Sequence, residues 1–172
     1  MTPSTFDLFT PRLHLRPPVE SDGDAISAIV GDWEVARRLA RMPHPYTPQD
    51  FRFFLEHIVP REPTWAIIIR QTQELVGVIG LAPHDDSQTA ELGYYVAPSH
   101  SGNGFATEAA QAVVRWAQDA KIYAKLTSRY HADNPAAGRV LTKLGFKPVG
   151  YSDTLCRAEG TDKPTIDMEL LA

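Results

Sequence analysis

Val96-Ala-Pro-Ser-His-Ser-Gly-Asn-Gly-Phe-Ala-Thr107 decides how the rest of the chain reads. Ahead of it, Thr89-Ala-Glu-Leu-Gly-Tyr-Tyr-Val96 is rich in aromatic and β-branched residues and predicts a strand. Behind it, Phe105, Ala109, Ala112, Val113, Trp116 and Ala120 recur at steps of three and four, which predicts a helix. A strand, a short glycine loop and a helix together make a generic anion receptor. Gly102 and Gly104 let the backbone turn sharply and come close to a ligand. The first amides of the helix have no intrahelical partner, and the helix dipole adds partial positive charge there. Phosphate is the usual guest of such a site.

Three readings of that loop compete. A P-loop is excluded, because no Lys-Ser/Thr follows the glycines. A dinucleotide fingerprint would need a third glycine where Thr107 stands, and a continuously apolar parallel strand where Glu91, Gly93 and two tyrosines stand. The third reading is a turn that merely needs positive φ. By itself the Gly-x-Gly does not choose between them.

Outward from the loop, the pattern predicts an α+β fold with a mixed, mostly antiparallel twisted sheet of about six to seven strands flanked by helices. Leu13 and Leu15 alternate with Arg12, His14 and Arg16 in a short strand that Pro17-Pro18 ends. Ser21 to Asp24 offer N-caps for a helix through Val30, and a second helix is expected from Trp33 to Met42. Thr47 and Pro48 open a third, with Phe51, Phe54, Leu55 and Ile58 as its apolar stripe. Trp65 to Ile69, Leu75 to Leu81 and Thr89 to Val96 read as a three-strand meander joined by polar turns. Lys125 to His131 is a further strand. Asn134-Pro135 caps and starts a helix that Gly145 stops in the left-handed conformation. Extended segments over Lys147 to Tyr151 and Pro164 to Leu171 complete a single domain, residues 1–172.

With 17 Lys and Arg against 21 Asp and Glu, the net charge is −4, which argues against a nucleic-acid partner. No apolar run approaches the ~18 residues of a membrane span, so no membrane role is expected. Met1 to Asp7 lacks the basic and apolar segments of a secretory leader. The single cysteine, Cys156, has no internal disulfide partner, consistent with a reducing cytoplasm. The six histidines show no His-x-x-x-His or cysteine cluster, so no metal is expected.

Four stretches in order carry a resemblance. Thr10-Pro-Arg-Leu-His-Leu-Arg16, Glu91-Leu-Gly-Tyr-Tyr-Val96, Gly102-Asn-Gly-Phe-Ala-Thr-Glu-Ala109 and Asn134-Pro-Ala-Ala through Lys143-Leu-Gly-Phe146 resemble the GNAT superfamily of N-acetyltransferases. Within it they resemble the branch of ribosomal-protein N-terminal (RimJ/RimL-like) acetyltransferases. The resemblance implies acetyl-CoA as co-substrate and an amine acceptor, either a peptide N-terminus or a small molecule. Relatives often pair into homodimers. It implies that Tyr95 and Val96, at the end of the fourth strand, bind the pantetheine arm. Ser101, Gly102, Asn103, Gly104, Phe105, Ala106 and Thr107 would hold the pyrophosphate through their amides. Asn134 would contact the arm, unless its side chain serves only as an N-cap. An amide near Val96 would stabilise the oxyanion. Glu91 matches a carboxylate that acts as general base through water, against the alternative of a solvated strand residue.

Three departures from the family pattern stand out. Ser99, His100 and Ser101 replace an aromatic pair, Leu141 replaces a tyrosine acid, and Ala137 replaces a serine proposed for the same work. A thiolate with a pKa of about 8.5 leaves without strong acid help. The empty acid positions also suit a non-catalytic acyl-CoA-binding module, and a nucleotide-binding oxidoreductase is the remote third reading.

Overall fold

The computed structural model describes residues 6–171 and joins eight strands in one sheet. In chain order they are β1 (Leu8–Phe9), β2 (Leu13–Arg16), β3 (Thr64–Ile69), β4 (Leu75–Pro83), β5 (Thr89–Val96), β6 (Lys125–His131), β7 (Lys147–Cys156) and β8 (Thr161–Leu171). The spatial order is β1-β2-β3-β4-β5-β6-β8-β7. Only β5–β6 is parallel. The helices are α1 (Gly23–Val30), α2 (Trp33–Ala36), α3 (Pro48–Phe53), α4 (Phe105–Ala120) and α5 (Pro135–Lys143). Met1 to Thr5, most of the segment read for a leader, lie outside the described residues. No helix among those described is long and apolar enough to cross a membrane.

Around β3 and β4 the sheet is apolar on both faces, and each face has its own helices. On one, the α4 stripe of Phe105, Ala109, Ala110, Val113 and Val114 packs with Leu141 of α5 over Leu13, Leu15, Ile67, Ile79 and Leu92. Trp116 stands edge-on to the ring of Trp65 at 5.0 Å between centroids. On the other, Ile26 and Val30 of α1 and Phe51 of α3 cover Val78. Thr47 caps α3 through a reciprocal pair with Asp50, and Pro48 takes its first turn, as the sequence predicts.

The differences from the sequence reading have tertiary causes. There are eight strands rather than six or seven, because a two-residue β1 pairs Leu8 with Leu15 and Phe9 with His14. Two residues leave no periodicity to detect. The helix expected over Trp33 to Met42 stops at Ala36. The next carbonyls serve the β7–β8 hairpin instead: Lys163 Nζ donates to Arg37 O at 2.9 Å, and Arg157 N donates to Ala40 O at 3.1 Å. The third helix widens into a π-turn over Phe54–Ile58, closed by Val59 N donating to Phe54 O at 3.0 Å.

Candidate active site

β5 and β6 part company halfway along their length. Their parallel ladder runs from Thr89↔Lys125 to Glu91↔Thr127 and ends there. One further tie follows, as the buried Ser128 hydroxyl donates to the Leu92 carbonyl at 2.8 Å. β6 then continues beside β8 as far as His131↔Thr165, while β5 follows β4 as far as Val96↔Gly77. A wedge opens between them. Ala97 N donates to Val76 O at 2.7 Å, which fixes the parity of the β4–β5 ladder. Hydrogen bonding in an antiparallel pair alternates residue by residue. The backbone of Tyr95 therefore faces β4, and those of Tyr94 and Val96 face the wedge, on the same edge as Leu92. Of the two strand residues singled out in the sequence, Val96 lies on the open edge. Tyr95 does not offer its amide there, and Tyr94 takes that place.

The glycine loop lies at the mouth of the wedge. Gly102 and Gly104 have φ of +80° and +79°, the left-handed region that glycine occupies at no steric cost. Gly104 is the N-cap of α4 without any side-chain cap. The first intrahelical bond is Glu108 N to Gly104 O at 3.0 Å, so the amides of Phe105, Ala106 and Thr107 have no acceptor inside the helix. The side chains of the loop are occupied locally: Ser101 Oγ donates to Pro98 O at 2.9 Å and Asn103 Nδ2 to His100 O at 3.3 Å. The Ser101 amide, expected in the cradle, is itself spent on Pro98 O at 3.2 Å, so what Gly102 to Thr107 present outward is main chain. Arg12 borders the loop, with Nε 2.6 Å from Glu108 Oε2, Nη1 donating to Asn103 O at 2.9 Å, and its guanidinium 4.5 Å from the Phe105 ring centre. Thr10 Oγ1 and Arg12 N both donate to Glu108 Oε1, at 2.6 and 3.0 Å.

Asn134 occupies the N-cap position of α5, but its side chain makes no capping bond. Capping therefore does not account for this residue, and its amide is available to a ligand. Next to it, Asp133 receives Lys163 Nζ at 2.9 Å and Arg37 at 3.2 Å. The Lys163 bond holds the Asp133 carboxyl below the usual carboxylate range. His131 is buried, with Nδ1 3.2 Å from Thr165 Oγ1. Burial, then the charge of Lys163, push its pKa down and favour the neutral ring. Leu141 is a core residue at 1% exposure, and Ala137 has no polar atom to offer.

Glu91 points to the face away from α4 and α5 and pairs with Arg129, whose Nη2 and Nε lie 3.0 and 3.1 Å from the same Oε2. It borders an open hollow of ≈ 330 Å³ with Thr127, Asp167 and Glu169. At about 3.3 Å per residue, Glu91 is roughly 10 Å from Tyr94 along the strand and roughly 17 Å from Val96. The Tyr94 amide is the nearer of the two to Glu91.

A free strand edge leading to a main-chain anion cradle fits a long, thin molecule with a diphosphate at one end. Coenzyme A has that shape. A model of the acetyltransferase (GNAT) domain matches residues 12–147. The chain belongs to the GNAT acetyltransferase family. This GNAT N-acetyltransferase is 32% identical over 163 residues to the uncharacterized N-acetyltransferase YoaA of Bacillus subtilis (strain 168), covering 92% of each chain. It is 32% identical over 81 residues to the ribosomal-protein-serine acetyltransferase of Escherichia coli (strain K12), covering 46% of this chain and 45% of that one. The spermidine N-acetyltransferase of Vibrio cholerae, solved with coenzyme A and spermine, superposes with a TM-score of 0.81 at 20% identity. That match covers 94% of this chain and 96% of the other. Among the described residues of the GNAT chain, no group of three or more His, Cys, Asp or Glu could hold a metal ion.

Two features of this GNAT site escape a reading of the sequence alone. Tyr94 and Tyr95 are adjacent tyrosines, and only the register with β4 separates their roles. Arg12 lies 91 residues from Asn103, and its place beside the loop follows from the fold. The one signal for Arg12 is its presence in the opening stretch Thr10 to Arg16.

Proposed function

We propose that the protein transfers an acetyl group from acetyl-CoA directly to a primary amine, in the cytoplasm. The acceptor is a protein N-terminus or a small-molecule amine. The observation that carries this reading is the continuity of the wedge edge, Tyr94 and Val96, with the amides of Gly102 to Thr107. The names of relatives point the same way, toward a ribosomal protein in one and spermidine in another.

Acetyl-CoA, when bound, supplies an activated thioester. The amides of Gly102 to Thr107 hold its diphosphate, since an oriented backbone nest needs no side-chain charge. Val96 and Asn134 hold the arm. The Tyr94 amide donates to the carbonyl oxygen as it gains charge, a preorganised dipole of the kind that contributes most in acyl transfer. Glu91, paired with Arg129, accepts the amine proton through a water. An α-amino group with a pKa of about 7.7–8 needs little such help, whereas a lysine at about 10.4 needs more. The N-terminal amine is the better chemical match.

Ala137 and Leu141 favour a second reading, a non-catalytic acyl-CoA-binding module. Coenzyme A release measured with a panel of peptides and polyamines separates the two. The enzyme reading predicts turnover with at least one amine, and a drop in kcat/KM for Glu91→Gln that shrinks at high pH. A thermal shift with acetyl-CoA but no turnover on any amine would favour the module.

A further inference from the structure

The cradle from Ser101 to Thr107 contains no lysine or arginine, although its proposed ligand is a diphosphate. We propose that Arg12 is the side-chain cation of this cradle, its Nη2 closing on the diphosphate while Glu108 and the Asn103 carbonyl fix the rest of the guanidinium. The inference rests on the coenzyme reading above and assigns a binding role to a residue outside the loop.

The five donors of a guanidinium lie in one plane, so fixing two nitrogens aims the third. Here Nε is committed to Glu108 and Nη1 to the Asn103 carbonyl. The flat face rests over Phe105 at 4.5 Å. Nη2 has no hydrogen bond to any described residue. It lies where a Cβ on Gly104 would approach to 3.4 Å, beside the first free amides of α4. The side chain is 46% exposed, so an incoming anion reaches that edge without displacing protein.

Glu108 would repel a phosphate if its oxygens faced the loop. They do not face it unoccupied: Oε1 takes Thr10 Oγ1 and Arg12 N, and Oε2 takes Arg12 Nε. The Arg12–Glu108 pair is neutral as a whole. What it offers the ligand is a directed, charge-assisted donor acting at contact distance, not a long-range field.

The experiment compares two ligands on intact protein: coenzyme A by calorimetry, and pantetheine, which lacks the diphosphate, by ligand-detected NMR. Arg12→Gln should weaken coenzyme A binding about ten- to a hundredfold, the worth of one charge-assisted hydrogen bond, and leave pantetheine unchanged. Arg12→Lys retains the charge but loses the fork, and should fall between wild type and Arg12→Gln. Equal losses for both ligands would make Arg12 a structural tie and overturn the inference. Coenzyme A affinity that survives in both variants would also overturn it, with the coenzyme reading intact. Wild-type protein that ignores coenzyme A would sink that reading itself.

Discussion

Replacing Asn134 with alanine distinguishes a residue that caps a helix from one that touches a ligand. A capping asparagine lost to alanine costs about 0.5–2 kcal/mol. In a chain of this length each kcal/mol lowers Tm by about 2–4 °C, so loss of a real cap would show as a fall of up to ~8 °C. The Asn134 side chain makes no capping bond, and the turn is held by main chain: Asn134 N donates to His131 O at 2.8 Å and Ala137 N to Asn134 O at 3.2 Å. Alanine keeps both bonds. The expected loss of stability is therefore below the capping range, a Tm change under about 2 °C. One hydrogen bond to a ligand is worth about 0.5–1.5 kcal/mol net, which converts to about a two- to twelvefold rise in Kd for coenzyme A. Differential scanning calorimetry and titration calorimetry on the same preparation give both numbers. A Tm several degrees lower with an unchanged Kd would refute the reasoning.

Three further outcomes follow from the same geometry. Gly102 has open space where a Cβ would go, so its substitution tests backbone conformation alone. Gly102→Val should cost about 1–2 kcal/mol of the cradle geometry, about five- to thirtyfold in coenzyme A affinity, with Gly102→Asn milder because asparagine tolerates positive φ. Equal behaviour of the two variants in calorimetry would count against a role for the turn. Ser128→Ala leaves the Leu92 carbonyl without its partner at the apex of the wedge, and should destabilise by about 1–3 kcal/mol, read as a Tm loss of about 2–12 °C. Burial alone would raise the Glu108 carboxyl, but the bonds from Thr10 and Arg12 outweigh it and hold its pKa below the ordinary range. A depressed folded value gives stability that is complete above the unfolded pKa of about 4.3 and lost as pH falls through the folded one. The Tm gap between wild type and Glu108→Gln should hold steady from pH 7 to about 5 and close on further acidification. A gap independent of pH would show that the carboxylate charge is irrelevant.

Legibility of the sequence tracked the range of the forces involved. Gly102, Gly104 and Gly145 do adopt positive φ, and Thr47-Pro48 does open a helix, because each is a demand of the local backbone. The meander is equally readable, and the α4 stripe in part: Phe105, Ala109 and Val113 are buried as their period predicts, but Ala120 is exposed and Ala110, Val114 and Ala117 are buried instead. Long-range effects are not readable. Nothing between Arg37 and Met42 announces that its carbonyls are used by a hairpin more than a hundred residues on, so the helix expected there is cut short. Alternation puts Tyr94 and Val96 on one edge, but which edge faces the wedge depends on the pairing of Ala97 with Val76. Asn134 looks like a cap by residue type, and only its side-chain position shows otherwise. Arg12 reads as one polar residue of an alternating strand until the fold carries it to the loop.

The parting of β5 from β6 also has a mechanical consequence. Past Leu92 the two halves of the sheet share no ladder, so the jaw between them would be free to gape if nothing crossed it. Cross-ties exist: Arg37 reaches Asp133, Lys163 grips the Arg37 carbonyl, and Arg157 holds Ala40. The short stretch after α2 thus acts as a strap between the two jaws. The spacing of the jaws is thus tied down by hydrogen bonds and ion pairs within the chain, and is not left for a ligand to set.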